Sequence, residues 1–213
     1  MKKKQKSDRA ETRDRALLQL LPRFGFEGWS DTVLRRAAAE DGEGDSPDGA
    51  GFADALEAAL YFSSWADRRM AEKIAAMPEF SKIKVREKIF TGVKTRLDVL
   101  MPHKQAVKNS VRFMAHPLRA PHVPRMIWAT ADEIWHLAGD TATDYNHYSK
   151  RMLLSGVMGT TTAFWLRDES DNFAATQDFL QRRIENVLHF GRVTAKVKKA
   201  GKSVFCRKKS AAE

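Results

Sequence analysis

The sequence predicts an all-α protein, a helical bundle that is preceded by a small N-terminal subdomain. No segment alternates apolar and polar residues over the length of a strand, and apolar residues recur every three or four positions along most of the chain. The few Gly and Pro clusters fall between these periodic stretches. At 213 residues and 43% hydrophobic content, the chain can bury a sizeable core.

The N-terminal subdomain has the layout of a helix-turn-helix. A first helix is predicted over about residues 12–24, a Gly-aromatic turn follows, and Ser30 is a good N-cap for a second helix that extends to about Glu40. Residues 41–51, predicted to be a loop, contain four acids, four glycines and no base. A recognition helix presents hydrogen-bond donors and positive charge to DNA. This composition therefore predicts a degenerate helix-turn-helix that does not bind nucleic acid.

The same apolar spacing predicts six more helices. They cover about residues 53–77, 82–101, 102–115, 123–138, 143–166 and 171–190, and Pro78 ends the first of them. Residues 152–166 carry no charge, which predicts a helix that is buried on nearly every side. This run is too short and too polar to cross a bilayer, because a crossing takes about 20 apolar residues.

Small residues in this charge-free helix indicate space for a guest molecule. Ser155, Gly156, Gly159 and the threonines at 160–162 do not fill a core by themselves, so neighbouring side chains or a ligand must supply the volume. Aromatic residues at helical spacing in the C-terminal half also fit plain core packing, and both interpretations stay open. A cavity between such helices would suit an isoprenoid or acyl chain.

The net charge of +10 is concentrated at the two ends of the chain. Residues 1–15 carry seven bases and three acids, residues 192–213 carry eight bases and one acid, and the part between them carries 22 bases and 23 acids. Nucleic-acid-binding proteins usually carry their basic face on the folded domain. Basic ends on a neutral body fit an anionic membrane at least as well.

The C-terminal tail allows two interpretations, a disordered solubilising tail or a peripheral membrane contact. Seven bases between residues 196 and 209 alternate with Val197, Val204 and Phe205. Near an anionic surface each base contributes about 1 kcal/mol, and Phe205 can insert. The predicted membrane-binding residues are Lys196, Lys198, Lys199, Lys202, Phe205, Lys208 and Lys209.

Chemical motifs are sparse. Glu133 and His136 match the Glu-x-x-His element of di-iron bundles, but such a site needs a second copy and two further glutamates, which cannot be picked out. Zinc-hydrolase, P-loop and dinucleotide-binding signatures are absent from the sequence, and the single Cys206 excludes an internal disulfide. We therefore predict a protein that is not an enzyme and uses neither a metal nor a cofactor. A di-iron enzyme is kept as an alternative.

Three segments together resemble the ubiquinone-biosynthesis Coq-nine (COQ9) family. They are residues 132–151, with their Ala-Gly-Asp, Thr-Asp-aromatic-Asn, Tyr and Lys-Arg elements, the charge-free helix at 152–166, and residues 178–187. The resemblance extends over most of the chain and is strongest over about residues 123–190. It implies the fold of TetR regulators with DNA binding lost, which agrees with the acidic composition of residues 41–51. A TetR-type transcriptional regulator that binds DNA and a hydrophobic effector is the main alternative.

The resemblance implies a non-enzymatic, membrane-associated protein that binds isoprenoid quinone intermediates and presents them to a ring hydroxylase. Members carry a partner-binding patch, which corresponds here to Asp144, Tyr145, Asn146, His147, Tyr148, Lys150 and Arg151. His147 stands where many members carry Trp. We expect the polyprenyl tail to lie along Met126, Trp135, Leu153, Val157, Phe164 and Leu180.

Four regions are expected: a disordered basic N-terminus (1–10), the degenerate helix-turn-helix (11–52), a helical lipid-binding domain (53–191) and a membrane-contacting tail (192–213). We expect a homodimer, as is usual for TetR folds. The N-terminus shows no secretory signal. The expected location is therefore the inner face of a bacterial cytoplasmic membrane, or the matrix side of a mitochondrial membrane in a eukaryote.

Overall fold

The structure, a computed structural model, describes residues 2–40, 42, 50–140 and 145–187. Within these ranges the regular structure is helical, without strands, and the prediction of an all-α fold is confirmed. The helices are α1 (Lys2–Glu27), α2 (Asp31–Glu40), α3 (Ala55–Ala75), α4 (Val85–Leu100), α5 (Lys104–Met114), α6 (His122–Leu137), α7 (Tyr145–Trp165) and α8 (174–187). The ends of α2 to α7 agree with the predicted ends within a few residues.

Helix α1 departs from its prediction. It begins at Lys2 rather than near residue 12, so the expectation of a disordered N-terminus is wrong for residues 2–10. Lys, Gln, Arg and Ala, which dominate this stretch, are good helix formers. The helix is also held against α3, where the Asp14 carboxylate accepts a hydrogen bond from Tyr61 Oη at 2.7 Å and pairs with Arg69 at 3.1 Å.

The turn between α1 and α2 fixes both helices on α5. Ser30 Oγ accepts a hydrogen bond from the Val33 amide at 3.4 Å, which confirms Ser30 as the cap of α2. Trp29 stacks on Phe24 with ring centroids 4.0 Å apart and donates its indole N–H to the Ala106 carbonyl at 2.9 Å. Most of the acidic loop predicted next, residues 41 and 43–49, lies outside the described residues.

Two hydrophobic cores organise the fold. The first core joins α1, α2, the start of α3, the end of α4 and α5, with Trp165 and Phe173. The second core joins the end of α3, the start of α4, α6, α7 and α8. Helices α3 and α4 run through both cores and connect them. Gly92 of α4 lets α6 approach closely, because a Cβ at that position would lie 2.9 Å from Ile134 Cγ2.

Helix α7 is buried on one face only, so the prediction of burial on nearly every side is wrong. Leu154, Val157, Met158, Thr161 and Trp165 are buried. A second face is exposed to solvent although it carries no charge; its members are Met152, Gly156, Thr160 and Ala163. Packing against α6 covers one side of the helix, and the described residues do not cover the other.

Asp168 fixes the chain between α7 and α8. One carboxylate oxygen accepts hydrogen bonds from the Ser170 amide and hydroxyl at 2.9 and 2.6 Å. The other accepts from the Thr176 amide and hydroxyl at 2.8 and 2.5 Å. Burial acts to raise the pKa of Asp168, but these hydrogen bonds outweigh it and lower the pKa to about 2. The carboxylate therefore serves as an ionised cap for the start of α8.

Candidate functional site

A large apolar cavity lies between the two cores. Its volume is about 780 Å³, within the range of about 300–1,000 Å³ that is typical of small-molecule pockets. Five helices contribute to the wall, namely α3, α4, α5, α6 and α7. From the first core come Ala59, Phe62, Leu100, Val107 and Met114, and from the second comes Met158.

The cavity has a buried floor and a mouth that opens to solvent. Phe62 and Leu100 on the floor are buried, whereas Val111 and Ala115 of the first lip and Ala163 of the opposite lip are exposed. On α7 the wall is formed by small residues, because Gly159, Thr162 and Ala163 all line the cavity. A Cβ added at Gly159 would meet no atom within 4 Å. The prediction that small residues leave space beside this helix is confirmed.

One polar cluster interrupts the apolar wall. Arg96 donates from Nε to the Asp67 carboxylate at 2.7 Å and from Nη2 to Ser63 Oγ at 3.1 Å. Thr130 donates its hydroxyl to the same carboxylate at 2.9 Å. Ser63, Arg96 and Thr130 line the cavity. The Arg96 charge is thus compensated by Asp67, and the cavity offers a bound molecule a polar contact without an isolated buried ion.

The six predicted lipid contacts do not surround one cavity. Met126 lines the cavity described above. Val157 and Leu180 are buried in the second core, and Trp135 packs against that core while donating its indole N–H to the Lys150 carbonyl at 3.2 Å. Leu153 is exposed, and Phe164 stacks on Phe179 of α8 with centroids 4.6 Å apart. Five of the six therefore do not line this cavity.

The residues of the predicted partner patch differ in exposure, and some of them lie outside the described ranges. Tyr148 is 59% exposed, and its ring lies 6.2 Å from Trp128 and 5.1 Å from His147. Lys150 is partly exposed and pairs with Asp140 at 2.6 Å. Asp144 and the side chains of Tyr145 and Asn146 lie outside the described residues.

The prediction that Arg151 is a surface contact is wrong. Its side chain is buried, pairs with Asp132, and contacts Asp140 at 3.1 Å and the His147 carbonyl at 3.2 Å. The Arg151 side chain joins α6 to α7. This structural role explains why an arginine stands in the Lys-Arg element, and contact with a partner is not needed to explain it. The predicted membrane-binding residues, Lys196 to Lys209, lie beyond the part of the chain that the structure describes.

The sequence analysis missed the contribution of α5. Val107, Val111 and Met114 line the cavity, as does Lys108. A signal was present, because residues 99–131 contain five bases and no acid, although the body of the chain is close to neutral.

Comparisons with known proteins agree with the resemblance. The COQ9 family model matches residues 120–191, which include α6, α7 and α8. Ubiquinone biosynthesis protein COQ9 of Bos taurus is 26% identical over 195 residues, which cover 89% of this chain and 60% of that protein. The human protein is 25% identical with the same coverage, and the Drosophila melanogaster protein is 26% identical over 181 residues.

This chain is a relative of the COQ9 proteins. It spans about 60% of the length of the first curated COQ9 proteins that it matches. The animal COQ9 proteins carry the word mitochondrial in their names. The family-model match contains both the exposed Tyr148 and the Arg151 ion-pair cluster, so the COQ9-like segment combines a surface feature with a structural one.

A solved structure confirms the fold of this COQ9 relative. A TetR transcriptional regulator from Nitrosomonas europaea superposes with a TM-score of 0.67 at 22% identity, covering 84% of this chain and 98% of the regulator. At this identity the likeness establishes the TetR-like fold alone. The alternative of a DNA-binding regulator predicted a regular third helix at 42–51. That helix falls largely on residues outside the described ranges, and DNA binding stays an untested prediction.

The described residues show neither a membrane-spanning helix nor a cluster of metal ligands. Among the described residues, no helix combines the length and the hydrophobicity that a bilayer crossing requires. Within the same residues, no three His, Cys, Asp or Glu side chains are grouped as metal ligands would be, so Glu133 and His136 have no further ligands beside them there.

Proposed function

We propose that this COQ9 relative is a non-enzymatic lipid-binding protein of ubiquinone biosynthesis. It binds an isoprenoid quinone intermediate and presents it to a ring hydroxylase. The observation that supports the proposal is the apolar cavity of about 780 Å³ in a chain that resembles COQ9 proteins over most of its length. None of the described residues that line the cavity is an acid, a histidine or a cysteine, and the partly buried Arg96 is paired with Asp67, which suits binding better than chemistry.

The cavity provides the interactions that an isoprenoid chain needs. Each CH₂ group moved from water into an apolar site contributes about 0.8 kcal/mol. Gly159 and Ala163 allow the chain to pass close to the α7 backbone, while Phe62, Leu100 and Met114 form the floor. Ser63, whose Oγ accepts from Arg96, can donate its hydroxyl hydrogen to an oxygen atom of the ligand. We expect the isolated protein to contain no other cofactor.

For the hydroxylase partner we propose a surface centred on Tyr148. This side chain is exposed and braced by Trp128 and His147, which gives a flat aromatic contact at the N-terminal end of α7. We expect Tyr148→Ala to weaken hydroxylase binding at least tenfold in a titration, without lowering the unfolding temperature. Equal affinity of the variant and the natural chain would exclude this surface.

We propose a peripheral membrane location, on the inner face of the cytoplasmic membrane in a bacterium or the matrix side of a mitochondrial membrane. The tail residues Lys196, Lys198, Lys199, Lys202, Phe205, Lys208 and Lys209 would supply charge and one apolar side chain. Replacing the six lysines with Gln is expected to reduce cosedimentation with anionic vesicles.

Occupancy of the cavity tests the central proposal. Lipid extracted from the purified protein is identified by mass spectrometry, for the natural chain and for Gly159→Leu. Because a Cβ at residue 159 meets no atom within 4 Å, a leucine side chain there can extend into the cavity and occupy part of its volume. Gly156→Leu is the matched control, since it lies on the same helix, is equally free of neighbours and does not line the cavity.

We expect an isoprenoid lipid to copurify with the natural chain and with Gly156→Leu, and to be depleted at least tenfold in Gly159→Leu. A natural chain that is repeatedly free of lipid would reject the carrier function. Equal lipid content in both variants would show that the lipid binds elsewhere on the protein.

A further inference from the structure

One lip of the cavity has a distinctive charge. The basic lip, residues 108–125, comprises the second half of α5, the α5–α6 connector and the first turn of α6, and it contains no acid. Its bases are Lys108, Arg112, Arg119 and Arg125. Arg167 lines the mouth from the opposite side. The mouth is therefore positively charged on both sides in a body that is otherwise near neutral.

The bases of the lip are not neutralised by neighbouring acids within the described part of the chain. Some arginines elsewhere are paired, as the half-buried Arg13 is with Glu57 and the half-buried Arg23 is with Glu40. Lys108, Arg112 and Arg125 are exposed, and none of them forms an ion pair with an acid among the residues that the structure describes. Their charge is thus available to an outside anion.

Apolar side chains project from the same lip. Leu118, in the connector, is 81% exposed, and Val111, which lines the cavity, is 51% exposed. Arg119 stacks on the Phe113 ring at 3.8 Å and donates to the Phe113 carbonyl at 3.2 Å, which braces the connector against α5. Exposed apolar residues surrounded by bases have the composition of a surface that inserts into the headgroup region of an anionic bilayer.

We propose that the basic lip docks the mouth of the cavity directly on an anionic membrane. Leu118 and Val111 enter the headgroup region, and Lys108, Arg112 and Arg125 contact lipid phosphates. The proposal rests on the cavity being a lipid site, because docking there lets a lipid pass between bilayer and cavity without crossing water. It concerns a surface separate from the C-terminal tail.

Insertion is measured with an environment-sensitive fluorophore on a single cysteine. In a Cys206→Ser background, Leu118→Cys is labelled and mixed with vesicles of phosphatidylcholine and phosphatidylglycerol, or of phosphatidylcholine alone. Val85→Cys is the control, because Val85 is an exposed apolar residue at the far end of α4, about 22 Å from Leu100. We expect a blue shift for the label at residue 118 with anionic vesicles only, and none at residue 85.

The charge contribution is measured by vesicle titration of the full chain with its tail lysines replaced by Gln. Each base near an anionic surface is worth about fivefold in affinity, so Lys108→Gln, Arg112→Gln and Arg125→Gln together should weaken binding about 100-fold. Arg15→Gln, Arg35→Gln and Lys73→Gln remove the same charge from exposed positions away from the mouth. This control is expected to change the affinity less than fivefold.

The outcomes separate this inference from the proposed function. Docking by the lip would be overturned if the two triple variants weakened vesicle binding equally. It would also be overturned if the label at residue 118 reported water while the protein sediments with vesicles. Lipid copurification could still hold in that case. A label that responds to an acidic protein but not to vesicles would also overturn the inference. Docking by a chain that never contains lipid would instead count against the carrier function.

Discussion

At the scale of single residues, Arg151 shows how a motif can belong to the fold. Its guanidinium contacts Asp132 of α6, Asp140 in the segment after α6, and the His147 carbonyl of α7. The Arg151 and Asp140 side chains are both buried, so their charges are stabilised by each other and by the further ion pairs with Asp132 and Lys150. The pair therefore fixes how α7 begins, and so determines where the neighbouring Tyr148 is presented.

We predict that Arg151→Met lowers the free energy of unfolding by about 3 kcal/mol, because it removes the buried guanidinium that joins Asp132, Asp140 and the His147 carbonyl. Urea unfolding followed by circular dichroism measures the loss. Lys150→Met is the control, since Lys150 pairs with the same Asp140 from a more exposed position and should cost at most about 1 kcal/mol. Similar losses for the two variants would contradict the structural role of Arg151.

Asp168 gives a prediction about pH. Its pKa in the folded chain is about 2, below the ordinary 3.8, so its stabilising effect is complete above about pH 4 and is lost as the pH falls towards 2. Asp168→Asn should lower the free energy of unfolding by about 2 kcal/mol at pH 7, since it removes acceptors from the Ser170 and Thr176 groups.

The stability difference between the natural chain and Asp168→Asn should narrow between pH 4 and about pH 2, because the carboxyl becomes protonated there. Unfolding curves across this pH range measure the difference. Asp171→Asn, at an exposed position in the same connection, is expected to show little effect at any pH. A difference that stays constant with pH would contradict an ionised Asp168 cap.

For residues 140–168, the sequence identified the motif but did not show which of its side chains are buried and which are exposed. The Lys-Arg element was recognisable from its pattern, but whether each side chain is buried depends on how α6 and α7 meet, and periodicity does not specify that contact. The same limit explains Leu153 and Phe164, which were expected beside a lipid and lie on the outer side of α7. Charge and spacing identify a helix face without identifying what covers it.

At the scale of elements, the close contact of α4 and α6 depends on Gly92. We predict that Gly92→Ala lowers the free energy of unfolding by about 1 kcal/mol, although alanine favours helices, because its Cβ would lie 2.9 Å from the buried Ile134 Cγ2. In an Ile134→Ala background the clash is relieved, and the same Gly92→Ala change should become neutral or stabilising. Thermal unfolding of the four proteins forms the double-mutant cycle, and equal effects in both backgrounds would contradict it.

Helix α7 shows what absence of charge does and does not predict. Fifteen uncharged residues correctly indicated a helix packed in the C-terminal half, and its small residues correctly indicated adjacent space. They did not indicate complete burial, because Met152, Gly156 and Thr160 form an outward face. Covering an uncharged helix face with another surface is energetically favourable. The sequence alone does not show whether that surface belongs to the same chain or to another molecule.

At the scale of the whole molecule, the cavity results from packing between distant segments. Residues from α3 to α7 meet at the junction of the two cores, and no local pattern in α5 shows that it lies opposite Gly159. Fold class and helix order could be predicted because they depend on short-range periodicity. The cavity wall could not, since it depends on how five helices are arranged.

The exposed uncharged face of α7 leads to a prediction about assembly. We predict that the full chain forms a homodimer through this face, where Met152 is 66% exposed and Gly156 and Thr160 follow at helical spacing. Thr160→Arg should shift the protein to a monomer in light scattering, because a two-fold axis near this face brings the two new charges together. Ser64→Arg, at an exposed position on α3, is the control and should leave the dimer intact. A natural chain that is monomeric at all concentrations, or a dimer that withstands Thr160→Arg, would exclude this interface, and the uncharged face would then have to contact some other surface.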